Sequence, residues 1–272
     1  MSQNSQIAKN TLFLYIRMVL IMGVSLYTSR VILAALGESD FGIYSVVGGL
    51  ALMFAFFSSS LSNATQRFLN IAQGKNDREE ANRVFALSQT AFFLLSLCVL
   101  LFAEVIGLWF IYNKLVIPIE RLDAALWVFH ATVISLFFTI NGIVFNSVLV
   151  ARENFRIYAY IGVFEAFAKL AIAVVLSLMD VDRLKLYASL YVAMTVLVQI
   201  FYAGYCVRKY EECRIRRYWN RKLFVELSSF IGWNTLGTAV WTLNAQGIEV
   251  LINIFFGLSV NAARAISSQV EG

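Results

Sequence analysis

Residues 11–36 read TLFLYIRMVLIMGVSLYTSRVILAAL, an apolar run interrupted by only two charges, Arg17 and Arg30. At 1.5 Å per residue, a helix of this length covers the roughly 30 Å hydrocarbon core of a bilayer. The run is too long for the apolar region of a cleavable signal peptide, and no convincing small-residue cleavage site precedes Glu38. The stretch therefore predicts a transmembrane helix.

The composition of the whole chain agrees with that prediction. Of 272 residues, 60% are hydrophobic and 14% charged, whereas soluble domains have about 45–50% apolar and about 25% charged residues. The apolar runs are continuous instead of alternating, which argues against a barrel of strands. We therefore expect an all-α polytopic membrane protein, and we attribute the net charge of +5 to loop topology and not to nucleic-acid binding.

Hydropathy predicts seven complete spans and the start of an eighth, and the charges of the loops predict their orientation. The spans are 11–36, 43–66, 84–112, 124–150, 157–179, 186–207 and 229–256, followed by the shorter 258–270. Fourteen Lys and Arg residues fall in loops on one side and four on the other. Because basic loops stay in the cytoplasm, the N-terminus is predicted to be cytoplasmic. The three predicted outer loops, 37–42, 113–123 and 180–185, are short.

Signatures of soluble enzymes are absent from the sequence. It has no phosphate-binding loop, one histidine (His130, in the fourth span) and an odd number of cysteines. Paired carboxylates suited to glycoside hydrolysis are not visible, and the outer loops are too short to hold an active site. We therefore expect no enzyme, no metal and no cofactor. We expect His130 to be a packed, hydrogen-bonded residue.

Ionisable residues inside the predicted spans are candidates for function, because each costs at least about 2.5–3.5 kcal/mol to insert. Glu165 and Lys169 have the i, i+4 spacing of an intrahelical pair; mutual neutralisation and a role in binding both remain open. Arg17 shares a helix face with Asn10 and Thr28, whereas Arg30 points almost the opposite way, near the outer end, where it can extend to the interface. The predicted substrate-binding residues are Arg17, Arg30, Arg67, Lys169 and Arg264, and those for ion or charge coupling are Glu104, Glu165 and Glu249.

Two further polar stretches each have two interpretations. Residues 58–67 (SSSLSNATQR) either pack helices together or line a hydrophilic path for an anionic headgroup, and the two roles are compatible. The basic stretch 208–222 is interpreted as a topology anchor, with Tyr210, Tyr218 and Trp219 at headgroup level. If the cationic residues of the spans converge, they form a positive cavity that selects anions such as diphosphates.

Several short motifs resemble those of bacterial polysaccharide (O-antigen) flippases, members of the exporter superfamily that includes MATE multidrug transporters. At the N-terminus these are 10–12 (NTL), 27–31 (YTSRV), 35–37 (ALG), 40–44 (DFGIY), 47–49 (VGG) and 60–68 (SLSNATQRF). Residues 261–264 (NAAR) resemble the family's eighth span. The pattern of NTL followed by glycine also recurs internally, from Asn10 to Gly37 and from Asn234 to Gly257, as expected for parallel repeats.

The resemblance implies a MATE-like fold and a transport function. The expected architecture is a six-helix first lobe (1–208), a basic cytoplasmic linker (209–222) and an incomplete second lobe (223–272), as in a truncated reading frame. The implied activity is flipping of undecaprenyl-diphosphate-linked oligosaccharide across the bacterial inner membrane. The expected partners are that lipid, membrane lipids, and polysaccharide polymerase and glycosyltransferases. By similarity, Arg17, Arg30, Arg67 and Arg264 match cavity-facing cationic positions.

Two alternatives remain open at this stage. An ion-coupled drug antiporter of the same fold would favour cationic substrates and require unpaired acids, for which Glu104 is the candidate in the first lobe. A scaffold that holds glycan-assembly enzymes without transporting anything is the other.

Overall fold

A computed structural model describes residues 3–52, 56–179, 181–214, 218 and 220–271 of the chain. These residues form eight α-helices, two short 3-10 turns and no strand, which confirms the all-α fold. The helices are α1 (Gln3–Leu52), α2 (Phe56–Gly74), α3 (Arg78–Asn113), α4 (Leu122–Ala151), α5 (Phe155–Leu178), α6 (Arg183–Lys209), α7 (Arg221–Phe256) and α8 (Leu258–Glu271).

α1 turns a corner at Gly37, where φ is 79° and ψ is 169°. This backbone region is open essentially to glycine alone. The corner divides α1 into a first arm, residues 3–36, and a second arm, residues 38–52. The first predicted span therefore ends where expected. The second, 43–66, falls on the second arm and α2, and its residues 53–55 lie outside the described part of the chain.

Five helical segments among the described residues are long and apolar enough to cross a membrane. They are Tyr15–Gly49, which includes the corner, Arg78–Asn113, Ile119–Ala151, Phe155–Leu178 and Arg183–Lys209. These segments correspond to the first and the third to sixth predicted spans. In α7 the described apolar stretch is shorter, Gln246–Phe256. The helices support a multi-pass membrane protein.

α4 packs at the centre of the bundle, against α1, α2, α3 and α6. Its side chains contribute to two large apolar clusters, one including Phe85 and Leu149 and the other including Ile43 and Phe129. A Cβ at Gly107 of α3 would overlap the ring of Phe129, so this glycine allows the two helices to approach closely. Tight packing around α4 fixes the positions of the side chains that it directs toward α5 and α6.

The three predicted outer loops meet at Arg121. Its guanidinium donates to Asp40, with Nε 2.8 Å from Oδ1, and to Asp182, with Nη1 3.2 Å from Oδ2. Asp40 follows the α1 corner, Arg121 precedes α4, and Asp182 caps α6. The loops 37–42, 113–123 and 180–185 therefore share one end of the bundle, called the predicted outer end below.

Three segments predicted to lie inside meet at the opposite end. The Glu212 carboxylate, whose side chain is only 3% exposed, lies 2.6 Å from Nε of Arg152 at the end of α4. Asn82 of α3 donates to the backbone oxygen of Glu212 at 2.8 Å. These contacts attach the segment after α6 to the ends of α3 and α4.

Two aromatic residues of the basic stretch contact protein groups, and their predicted position at headgroup level stays a prediction. Tyr210 receives a hydrogen bond from Nδ2 of Asn154 at 2.9 Å. The guanidinium carbon of Arg83 lies 5.6 Å from the centre of the Tyr218 ring. Trp219 lies outside the described residues. The predicted linker 209–222 joins the end of α6 to the start of α7, and its role as a boundary between lobes stays a prediction.

Candidate functional site

A polar cavity of about 630 Å³ lies between the helices. Its wall is built by both arms of α1 together with α2 and α4–α8. The described residues that line it include four charged ones, Arg17, Glu165, Glu249 and Arg264. The uncharged polar ones include Tyr44, Ser45, Ser58, Thr132, Ser135, Thr139, Asn146, Tyr158, Tyr191, Thr195, Gln199, Tyr202 and Gln246. This is the candidate functional site.

The guanidinium of Arg17 packs against one face of α5. A Cβ at Gly162 would lie 2.7 Å from Nη2 and 2.8 Å from Nε of Arg17, so only a glycine leaves room for the guanidinium there. The guanidinium carbon stacks 4.4 Å from the centre of the Tyr158 ring. The Nε atom of Arg17 is buried and has no hydrogen-bond partner. Among the described residues, Arg17 also forms no ion pair, so its charge is available to a ligand.

Glu165 and Lys169 form the intrahelical pair that their spacing predicts. Nζ of Lys169 lies 2.8 Å from Oε1 of Glu165 and 5.7 Å from the centre of the Tyr191 ring. Glu165 lines the cavity, and Lys169 lies one turn further along α5. The Glu165 carboxylate is therefore already compensated within the wall.

The second cavity carboxylate is held in a similar way. Nδ2 of Asn261, a fully buried residue of α8, donates to the backbone oxygen of Glu249 at 2.8 Å and to its Oε2 at 3.1 Å. Arg264, one turn further along α8, interacts electrostatically with Glu249. Among the described residues at or next to the cavity, the cations Arg17, Lys169 and Arg264 thus outnumber the two engaged carboxylates by one.

The structure does not bring the other predicted residues to this cavity. Arg30 lines a separate crevice, as its position thirteen residues from Arg17, on nearly the opposite helix face, requires. Arg67 is exposed and stacks on Phe230 at 4.8 Å. Glu104 lies 3.0 Å from Nδ1 of His130. His130 is therefore hydrogen-bonded as expected, but it is not packed, because its side chain is 48% exposed. Of the five predicted cationic residues, Arg17 and Arg264 therefore line the cavity, Lys169 is linked to it through Glu165, and Arg30 and Arg67 lie elsewhere.

The serine-rich start of α2 serves mainly to pack helices. Ser62 lies 3.3 Å from Ser147 of α4, and Gln66 donates to Ser62 at 2.7 Å. Ser60 and Thr65 are fully buried, whereas Ser58 lines the cavity. The packing interpretation of residues 58–67 is therefore confirmed, and a path for an anionic headgroup stays a prediction. Thr28, on the predicted polar face of α1, is buried; the side chain of Asn10 lies outside the described part.

Amides and hydroxyls of α4 and α6 also line the cavity, although none of them was predicted from the sequence. Ser135, Asn146 and Gln199 line the cavity, and each carries a buried polar atom without a hydrogen-bond partner. A Cβ at Gly142 would overlap the Gln199 amide, so a glycine again accommodates a polar side chain. The only hint of these cavity residues in the sequence is a glycine on one span that can accommodate an amide on another. To match the two, one must know which helices pack together, and the sequence does not show that.

The described side chains contain no group of three or more His, Cys, Asp or Glu residues placed to hold a metal ion. The cavity can instead offer one free guanidinium, several uncharged donors and acceptors, and aromatic faces. This combination suits a large polar ligand with an anionic group.

A solved structure described as an inward-facing conformation of a multidrug resistance MATE family transporter of the MOP superfamily is similar to this chain. The TM-score is 0.60 at 15% sequence identity, over 95% of this chain and 57% of that one. The chain thus spans a little over half of that transporter's length. The likeness establishes a MATE-like fold, and its coverage is consistent with a first lobe and the start of a second. No family model and no curated protein matches the sequence.

Proposed function

We propose that the chain belongs to a transporter that flips undecaprenyl-diphosphate-linked oligosaccharide across the bacterial inner membrane by alternating access. The observation that carries the proposal is the uncompensated guanidinium of Arg17 in a polar cavity between membrane-spanning helices. A cationic group at this depth is costly unless it has a partner, water or a ligand. A ligand with an anionic group would fill that role.

A diphosphate matches the charge and geometry of the cavity. Guanidinium groups bind phosphate oxygens through paired, charge-assisted hydrogen bonds, which strengthen where the dielectric constant is low. Arg17 on α1 and Arg264 on α8 reach the same cavity from different helices. An anion bound by both guanidinium groups would therefore link α1 to α8.

The uncharged side chains of the cavity suit the sugar portion of such a substrate. Ser135, Thr139 and Asn146 on α4 face the same space as Gln199 on α6. Hydroxyl and amide groups both donate and accept hydrogen bonds, as sugar hydroxyls do. A wall of this kind can hold an oligosaccharide without demanding a particular charge from it.

A drug antiporter of the same fold remains the second candidate, but the carboxylates give it less support. Cationic drugs require an acidic group that is free to pair with them. Glu165 is paired with Lys169, Glu249 is held by Asn261, and Glu104 lies outside the cavity beside His130. A drug-efflux activity that Glu104→Gln abolishes would favour this candidate.

Surface-glycan export in cells tests the proposal. We expect Arg17→Gln to reduce export at least about tenfold, since a charge-assisted contact contributes about 1.5–3 kcal/mol, with the protein level unchanged. The matched control is Arg156→Gln, because Arg156 is an exposed cation at the start of α5, outside the cavity. Normal export by Arg17→Gln, with the control also normal, would contradict the proposal.

A further inference from the structure

A carboxylate and an imidazole face outward from the helix bundle, away from the cavity. Oε1 of Glu104 on α3 lies 3.0 Å from Nδ1 of His130 on α4, and the two side chains are 25% and 48% exposed. Neither residue lines the cavity. The hydrogen bond between them leaves the second carboxylate oxygen, Oε2, and the second ring nitrogen, Nε2, without a partner among the described residues.

This pair lies at the depth of acyl chains. The same two helices carry exposed tryptophans nearer to the predicted outer end, Trp109 and Trp127, and tryptophan is typical of the headgroup boundary. Glu104 is five residues from Trp109, and His130 is three residues from Trp127. These separations put the pair about 8 Å and about 5 Å deeper along the helix axes. The exposed side chains around the pair are apolar: Leu101, Val105 and Ile134.

A polar pair on such a surface needs a partner that lipid cannot supply. Acyl chains offer no hydrogen-bond donor or acceptor, and ionisable residues of membrane helices almost always face protein or water. Glu104 and His130 are at the same depth, because they are bonded to each other. A two-fold axis along the membrane normal keeps that depth, so a second copy would present the same two groups in the reverse order.

We infer that this surface is the contact between two copies of the chain in the membrane. It is called the α3–α4 face and consists of Leu101, Glu104, Val105, Trp127, His130 and Ile134. Nε2 of each His130 would donate to Oε2 of Glu104 of the partner subunit. An imidazolium has two donors and a carboxylate has two acceptor oxygens. The two copies would therefore close a ring of four hydrogen bonds with no net charge, surrounded by apolar side chains.

Energy transfer between donor- and acceptor-labelled copies of the 272-residue chain tests this inference. The labels are placed at the N-terminus, and the protein-to-lipid ratio of the liposomes is varied. We expect transfer that follows a monomer–dimer equilibrium. Glu104→Leu and His130→Leu should each weaken self-association at least about tenfold, because each removes both intersubunit bonds. Phe167→Leu, a change on α5 outside this face and also exposed, should associate as the unmodified chain does.

A mixture of the two variants makes the test specific. A Glu104→Leu copy retains the imidazole, and a His130→Leu copy retains the carboxylate. One intersubunit hydrogen bond can therefore form in the mixed pair, whereas neither variant can form one with itself. We expect the mixture to associate more strongly than either variant alone.

Two results would overturn the inference. One is transfer no greater than that of randomly distributed monomers at every ratio, with the chain helical by circular dichroism, which would leave the face to lipid or to another protein. The other is equal association by the unmodified chain and both variants, which would place the contact elsewhere. Loss of export in Arg17→Gln affects neither outcome, because the α3–α4 face is separate from the cavity.

Discussion

At the scale of single residues, glycines decide where the polar groups of the cavity stand. Gly162 accommodates Arg17 and Gly142 accommodates the amide of Gln199. In both cases the contacting atoms are the far ends of flexible side chains. Adding a methyl group should therefore move the polar group without unfolding the helix.

Gly162→Ala tests this directly. A new Cβ would lie 2.7 Å from Nη2 of Arg17 and displace the guanidinium from its stacking contact with the Tyr158 ring. We expect reduced glycan export with thermal stability maintained, because alanine is the better helix former by about 1 kcal/mol. Gly204→Ala on α6, where a Cβ meets nothing within 4 Å, is the control. Unchanged export by both variants would show that export does not depend on the packing of Arg17 against α5.

The positions of single side chains were the feature that the sequence predicted least well. It placed Arg17 on the same helix face as Thr28, which the structure shows to be buried. The position of Arg67 could not be predicted, because it depends on α7 bringing Phe230 to stack on it from more than 160 residues away along the chain. Helix periodicity does separate Arg30 from Arg17, and the structure places Arg30 in a different crevice.

At the scale of helices, two glycine corners repeat the same backbone geometry. Gly37 has φ 79° and ψ 169°, and Gly257 has φ 79° and ψ −172°. Each follows a long helix that contains an NTL triplet, and each is followed seven residues later by a cavity residue, Tyr44 or Arg264. The repeat predicted from the sequence thus has a counterpart in the backbone.

The backbone just after the second corner packs against the second arm of α1. A Cβ at Gly42 would overlap the backbone carbonyl of Leu258, the residue after the second corner. Because a backbone group cannot move aside as a side chain can, Gly42 sets how closely the second arm of α1 approaches α8. The contact places α8, and with it Arg264, against α1 at the cavity.

Gly37→Ala should destabilise the fold. A side chain at this φ and ψ costs about 1–3 kcal/mol, which thermal unfolding in detergent would register as a lower midpoint. Gly23→Ala lies in the same helix, with helical geometry and nothing near its Cβ, and should leave the midpoint unchanged or raise it. Equal midpoints for the two variants would contradict the assignment of the corner.

Continuous apolar runs were enough to predict most of the membrane-spanning helices, because a bilayer imposes length and composition on each span separately. The 78–113 helix nevertheless begins six residues before the predicted span. Asp77 accepts a hydrogen bond from the backbone nitrogen of Glu80 and caps a polar first turn. Hydropathy does not detect such a turn.

At the scale of the whole molecule, two ion-pair networks hold the loops at opposite ends of the bundle. Arg121 joins Asp40 and Asp182 at the predicted outer end, and Arg152 binds Glu212 at the other. Loop charges predicted which segments share an end. They did not predict these pairings, which require the fold.

Arg121→Gln should loosen the predicted outer end. It leaves the Asp40 carboxylate, only 18% exposed, without its cationic partner, at a cost of about 2–3 kcal/mol. We expect a lower midpoint of thermal unfolding and faster proteolysis of loop 113–123. Arg78→Gln removes the exposed pair with Glu211, whose side chains are 80% and 68% exposed, and should have no measurable effect. Matching stabilities would refute the structural role of Arg121.

Equilibrium binding of undecaprenyl diphosphate to the purified chain in lipid nanodiscs tests the central claim most directly. We predict binding that Arg17→Gln weakens at least about tenfold and that Arg156→Gln leaves unchanged. Equal affinities for the unmodified chain and Arg17→Gln, with both variants folded, would contradict the claim that the cavity recognises a diphosphate.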